Sequence, residues 1–272
     1  MNTVEKAIWY IEGHFSEGIT LDDIAASAGL SRFYMSRAFA AVTGCSVSGY
    51  IRGRRLSSAA RLLSEGAPDI LCVALGAGYN SHEAFTRAFR DQFGMTPEQV
   101  RAQGHVDNIP LVEAIKMDET LLVNLEVPRV VAGKPLLVAG LGARYNCESS
   151  KAIPSAPHIG HIAGQVGDIA YGVCCNSDDE NNFDYIAGVE VRDFSEIPDT
   201  FSRLRIPSQK YLVFTHQDHI STIRSTFMTI WGNYLPESGH EVADAPNFER
   251  YGPQFDQRTG NGGLEIWIPV KS

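Results

Sequence analysis

Val4, Ile8, Ile11 and Phe15 recur at three- and four-residue steps, the stripe of an amphipathic helix with one buried side. Leu21, Ile24 and Ala25 continue the helical period. Thr20 is placed to cap that second helix and Asp23 follows three residues on, a spacing that satisfies two orphan amides reciprocally. Gly29 ends the short helix and Ser31 is set to cap the next. Beyond about Gly104 the period changes. Residues 119–139 carry short Leu- and Val-rich runs between prolines and glycines, which is the pattern of strands and turns. The pattern predicts an all-α domain over residues 1–104, a linker over 105–118, and a domain containing strands over 119–272.

The helical part repeats itself at an offset of fifty residues. Leu30-Ser31-Arg32-Phe33-Tyr34-Met35-Ser36-Arg37-Ala38-Phe39, closed by Gly44, returns as Asn80-Ser81-His82-Glu83-Ala84-Phe85-Thr86-Arg87-Ala88-Phe89, closed by Gly94. Each copy follows a short apolar helix and a glycine turn (Gly29, Gly78), which is the grammar of a helix–turn–helix. A continuous helix from Val47 to about Ser64 would hold the two units at a fixed separation. Phe39, Phe85 and Phe89 lie on the inward period and are expected in the core, as is Tyr79.

Charge changes the picture once it is divided. The 272 residues carry 23 Lys+Arg and 32 Asp+Glu, a formal net charge of −9, which taken whole argues against a nucleic-acid partner. Residues 1–104, however, hold ten basic and ten acidic side chains, so the entire excess belongs to residues 105–272. From Ser31 to Arg61 there are six arginines (Arg32, Arg37, Arg52, Arg54, Arg55, Arg61) and no acidic residue. An arginine fork suits both phosphate and guanine, and a basic segment coinciding with a duplicated helix–turn–helix points to DNA.

The second repeat, Ala74-Leu-Gly-Ala-Gly-Tyr-Asn-Ser-His-Glu-Ala-Phe-Thr-Arg-Ala-Phe-Arg-Asp-Gln-Phe-Gly-Met-Thr-Pro97, followed by Arg101, resembles the signature of the AraC/XylS-type transcription regulators. The resemblance covers nearly all of residues 1–104. It implies that both recognition helices enter major-groove segments one turn, ~34 Å, apart on one face of double-stranded DNA. Carried over by position, the first helix offers Arg32, Phe33, Ser36 and Arg37, and the second offers Ser81, His82, Glu83, Thr86 and Arg87. Ser36 and Glu83 stand where better-known members have glutamine, so the sequence read in the groove is expected to differ. Glu83 could accept from a cytosine amino group.

The C-terminal end, Phe248-Glu249-Arg250-Tyr251-Gly-Pro-Gln-Phe-Asp and Gly263-Leu-Glu265-Ile-Trp-Ile-Pro-Val270, resembles the GyrI-like effector-binding domain. Lys210-Tyr-Leu-Val-Phe-Thr-His-Gln and Ile230-Trp231-Gly-Asn-Tyr234-Leu-Pro-Glu-Ser-Gly239 fit the same family. The resemblance implies an α+β fold of two strand–helix–strand–strand halves related by a pseudo-twofold, forming one antiparallel sheet with a ligand groove. It implies aromatic walls and a carboxylate for a hydrophobic, often cationic, small-molecule effector. Glu249 and Glu265 occupy the family's recurrent glutamates, with Trp231, Tyr171 and Tyr145 as candidate walls. An acidic sensor is expected to prefer cationic or neutral effectors.

The expected function is thus a transcription regulator, not an enzyme, with RNA polymerase a further candidate partner. Two rivals differ in class: a small hydrolase in which Glu249 or Glu265 acts as base beside Tyr171, and a module that binds another protein. No cofactor is expected. The pairs His158/His161 and His216/His219 lack a third ligand at metal spacing, and Asp178-Asp179-Glu180 lacks the alternation and glycine of a calcium loop. Five cysteines without framework spacing (Cys45, Cys72, Cys147, Cys174, Cys175) fit reduced thiols, with Cys174-Cys175 in a buried strand. The N-terminus has no uninterrupted apolar run of the signal-peptide kind, and Leu121–Leu141 is too polar to span a bilayer. A cytoplasmic, nucleoid-associated location without membrane contact is expected.

Overall fold

The computed structural model describes residues 2–146, 162–178, 180 and 182–271. The chain forms two compact units, Met1–Met35 with Cys45–Met117, and Ser36–Gly44 with Asp118–Ser272.

The first unit is helical. Helix α1 (Thr3–His14) starts at a capping box between Asn2 and Glu5, and α2 (Leu21–Ala28) at the Thr20–Asp23 box anticipated from the sequence. Gly29 closes α2 at φ +71°, a conformation that an L side chain adopts only with strain. Then come α3 (Arg32–Thr43), which from Ser36 onward packs with the second unit, and α4 (Val47–Ser64), α5 (Ile70–Gly76), α6 (His82–Phe93) and α7 (Pro97–Gln103). The core joins Leu56, Ala59, Ala60 and Leu63 of α4 to Ile70, Val73 and Ala74 of α5 and to Phe85, Phe89 and Phe93 of α6. Tyr79, Phe85, Phe89 and Phe93 form a chain of ring contacts at 5.5, 5.4 and 4.8 Å between centroids.

Much of the segment expected to be a linker is packed on this unit instead. Ile109 is buried, and Val106 and Leu111 lie against the same core. The Val112 amide donates to Ser57 Oγ at 2.8 Å, Arg54 Nη1 donates to the Val112 carbonyl at 2.8 Å, and the Ile115 amide donates to Tyr50 Oη at 3.0 Å. Its apolar side chains and satisfied amides make this stretch part of the bundle. The division between units falls after Met117.

The second unit is built on one antiparallel sheet of β1 (Arg129–Gly133), β2 (Leu136–Asn146), β3 (Gln165–Cys175), β4 (Asn182–Val191), β5 (Ser202–Ile206), β6 (Gln209–His216), β7 (Asn247–Tyr251) and β8 (Leu264–Val270). Strand order is β1-β6-β8-β7-β3-β4-β2-β5. Read outward from the β7–β3 junction, β7-β8-β6 mirrors β3-β4-β2, which is the expected pseudo-twofold. Between β6 and β7, helix α8 (Ile223–Thr229) runs on through a π-helical turn, Ile230–Tyr234. Cys174 and Cys175 lie in β3, as anticipated, and Cys175 is buried. Cys147, His158 and His161 lie outside the described residues.

Candidate functional site

Ser81 caps α6 by accepting from the Ala84 amide at 3.2 Å, so its hydroxyl is engaged by the helix. Glu83, Arg87 and Arg90 are exposed, while Phe85 and Phe89 face the core. Glu83 and Arg87 are one turn apart and therefore share the outward face. Two other expected readers are partly engaged. His82 Nε2 lies 3.0 Å from Glu98 Oε1, and Thr86 Oγ1 is closed off from solvent with no partner among the described residues.

The arginine-rich segment divides by role. Arg54 donates through Nε and Nη2 to both oxygens of Glu12, at 2.7 to 3.2 Å, and Arg55 Nε donates to the Phe15 carbonyl at 2.5 Å. Arg61 pairs with Glu113, and Arg32 with Asp22 at 2.5 Å across the α2–α3 turn. The six arginines of the basic segment are therefore not equivalent: Arg54 and Arg55 are turned into the bundle. Phe33 is half-buried on α3, and Ser36 is buried.

In the second unit the strand register decides which side chains meet, because paired residues share a face and neighbours alternate. On β7, Glu249 pairs with Gly172 of β3 and Ile266 of β8, and Asn247 pairs with Cys174. Cys174 pairs onward with Tyr185 of β4, and Phe183 pairs with Tyr145 of β2. One face therefore carries Tyr145, Phe183, Tyr185, Cys174, Asn247 and Glu249. These line a cavity of about 470 Å³, completed by Ile223, Arg224, Phe227 and Trp231 of the α8 segment, by Ser36, Arg37, Ala40 and Ala41 of α3, and by Gly44 just after it.

Tyr171 and Glu265 are not part of this lining. Their neighbours in the register, Arg250, Phe248 and Trp267, project from the other face. There Tyr171 packs on Phe248 at 5.8 Å, within a core with Tyr211 and Val213. The Glu265 carboxylate pairs with Arg129, with Arg250 Nη1 at 3.1 Å, and accepts from Trp267 Nε1 at 3.0 Å. Of the five residues expected to line a ligand site, the structure brings together Tyr145, Trp231 and Glu249.

Sequence reasoning missed Tyr185 and Tyr251. Both hydroxyls donate to Glu249 Oε2, at 3.0 and 3.4 Å. Among the described residues no donor reaches Oε1. A period-two signal was available: Phe183, Tyr185 and Ala187 alternate along β4, and Tyr251 stands two residues after Glu249. Gly172 makes the arrangement possible, since a Cβ there would collide with Tyr185 Oη and Glu249 Oε2. Burial pushes the Glu249 carboxyl up to about 7, although both phenol hydrogen bonds pull the other way. Burial, reinforced by the neighbouring Glu249 charge, holds the Tyr185 hydroxyl well above the ordinary phenol range.

His216 is buried and lies 2.8 Å from Thr226 Oγ1, holding β6 to α8. Among the described residues, no three His, Cys, Asp or Glu side chains cluster as metal ligands. Among them too, no helix is long and apolar enough to cross a membrane.

Comparison with known proteins places these observations in context. The family described as GyrI-like small molecule binding domain matches residues 127–271, and a helix-turn-helix domain family matches residues 24–103. Transcriptional regulator Rob of Salmonella typhimurium is 27% identical over 97% of this chain and 96% of its own length. The solved structure of an AraC-type regulator from Chromobacterium violaceum is 30% identical, covering 39% of this chain and 94% of that one, with TM-score 0.37. The structure of SAV2435 bound to tetraphenylphosphonium is 20% identical, covering 53% of this chain and 94% of that one, with TM-score 0.41.

Proposed function

Because this chain belongs to the GyrI-like family of small-molecule-binding domains and is a DNA-binding transcription regulator with an AraC-type helix–turn–helix ahead of that domain, we propose that it responds to a hydrophobic, cationic effector held at Glu249. The observation that carries this reading is a carboxylate with one oxygen on two phenols and the other without a donor among the described residues, set among Tyr145, Phe183, Tyr185 and Trp231. A permanent cation gains there from the charge and from the ring quadrupoles, while its apolar body is removed from water. In this reading Tyr171 and Glu265 stabilise the sheet from its other face.

On DNA, Arg87 and Glu83 of α6 are the principal base readers, Arg32, Phe33, Ser36 and Arg37 act from α3, and His82 and Thr86 have supporting roles. Ser81 serves α6 as its cap. RNA polymerase is the second macromolecular partner, and the protein works on the nucleoid in the cytoplasm. The cavity binds its ligand and does not transform it: the buried Glu249 carboxyl is held by two phenol hydrogen bonds in a setting that suits a cation.

Isothermal titration with tetraphenylphosphonium, a probe of this chemistry, tests the proposal. Binding by the wild-type chain and its loss in Glu249→Gln, with the probe recovered unaltered, is the expected result. Equal binding by both proteins would overturn it.

A further inference from the structure

Ser36–Gly44 is packed within the second unit, and it meets the cavity along one helical stripe: Ser36, Arg37, Ala40, Ala41 and Gly44. The small residues let the helix lie close. A Cβ on Gly44 would meet Arg224 Nη2 at 2.7 Å. Among these residues stands one long cation. Arg37 Nη1 donates to Asn247 Oδ1 at 2.5 Å, and Nη2 to Ser177 Oγ at 3.2 Å. Asn247 is two residues before Glu249 on β7, on the same face of the sheet.

The same Arg37 is an expected DNA reader by its place in the first repeat. A side chain hydrogen-bonded to Asn247 and Ser177 is not available to a base or a phosphate. An effector cation entering this cavity would join Arg37 and Arg224, with Glu249 the carboxylate of the lining. Like charges at such distances in a partly desolvated space repel strongly.

We propose that Arg37 is the cavity's built-in cationic occupant, which an effector displaces and which DNA claims when it is released. The inference rests on the effector reading above and adds its regulation. Both ligands favour the state with Arg37 out of the cavity. Each therefore strengthens the other by the same factor, as linkage requires. In the state described here the first repeat is held silent by its own arginine.

The test uses the full chain, a duplex enriched by the wild-type protein from a random pool, and tetraphenylphosphonium. Asn247→Ala with Ser177→Ala removes two acceptors of Arg37 without touching the repeats. With no small molecule present, this variant is expected to bind the duplex about fivefold tighter or more, within the usual range of coupling between sites. Arg37→Ala is expected to give effects of opposite sign: weaker binding to the duplex and about tenfold tighter binding to the cation. A folded double variant with unchanged or weaker DNA affinity would overturn the proposal, as would a cation affinity unmoved by Arg37→Ala. If the double variant melts early, Ser177→Ala alone decides in the same direction with a smaller shift. Should no protein bind the cation, the effector reading fails while the DNA arm still judges the role of Arg37.

Discussion

Glu249 and Glu265 leave the sheet on opposite faces. The β7–β8 register pairs Glu249 with Ile266 and Arg250 with Glu265, and a one-residue step reverses the face. One glutamate therefore stands at a cavity with one oxygen held by two phenols, and the other is held by two arginines and an indole.

Glu265→Gln is expected to leave cation binding unchanged and to lower stability by about 2 kcal/mol at neutral pH, the scale of a lost charged hydrogen bond in a partly buried setting. Burial raises the Glu265 carboxyl, but Trp267, Arg250 and Arg129 together hold it below the ordinary carboxylate range. Its contribution is therefore present above the unfolded-state value and is lost as pH falls through the lower native value. Thermal melts of both proteins should converge in acid and separate toward neutrality.

The opposite sign applies to Glu249, raised to about 7 by its burial. Below that value its proton must be lost before a permanent cation can be held. Affinity for tetraphenylphosphonium should thus rise by nearly tenfold per pH unit up to about 7 and then level off. Burial holds the Tyr185 and Tyr251 hydroxyls above the ordinary phenol range, so both stay protonated over this range. Titrations from pH 5.5 to 8.5 check the profile, and Glu249→Gln should flatten it.

Arg87 and Glu83 share the exposed face of α6. Arg87→Ala is expected to weaken operator binding by roughly 1–3 kcal/mol if it reads a base. A mobility shift over several salt concentrations separates the alternatives, because loss of a phosphate contact would also reduce the salt slope by about one. Glu83→Gln should change the preferred base at one position while keeping affinity for its new best site.

The helical half was legible because its signals are local. Caps at Thr20 and Ser31, closing glycines at 29 and 94 and the inward phenylalanines each declare themselves within a few residues. The arginines of α4 were less legible, since Arg54 finds Glu12 and the carbonyl of Val112 across 42 and 58 residues of chain. The cavity was legible only in part. Glu249 came from resemblance, while Tyr185, Gly172 and Asn247 join it through strand pairings whose register no local pattern specifies. Tyr171 was misplaced for the same reason: an aromatic in a strand gives its period but not the face that holds the ligand.

The Arg54–Glu12 pair yields a stability prediction distinct from DNA binding. Its side chains are 11% and 23% exposed, and Tyr50 Oη adds a hydrogen bond to Glu12 at 2.6 Å. Removing one partner leaves the other charge poorly compensated, so Glu12→Gln should cost about 3 kcal/mol. Arg54→Met should cost a similar amount, because it leaves the Glu12 carboxylate with only the Tyr50 hydroxyl to compensate its charge. At a temperature where all three proteins are folded, affinity for the operator should be the same, as expected for an arginine turned away from DNA.

Gly172 offers the sharpest separation of fold from ligand binding. The atoms that a Cβ would meet there are the tips of Tyr185 and Glu249, not backbone. Gly172→Ala can be accommodated by swinging those tips aside, at about 1–2 kcal/mol of stability, the ordinary scale of overpacking. The swing breaks the hydrogen bond that sets the Glu249 carboxylate against Tyr185. Cation affinity should therefore fall by tenfold or more in a protein that melts only a few degrees lower, and the pH profile should shift with it. Calorimetry and a thermal melt on the same sample decide the matter. Retained affinity would mean that the carboxylate works without its phenol, and that Gly172 serves the packing of β3 on β4 alone.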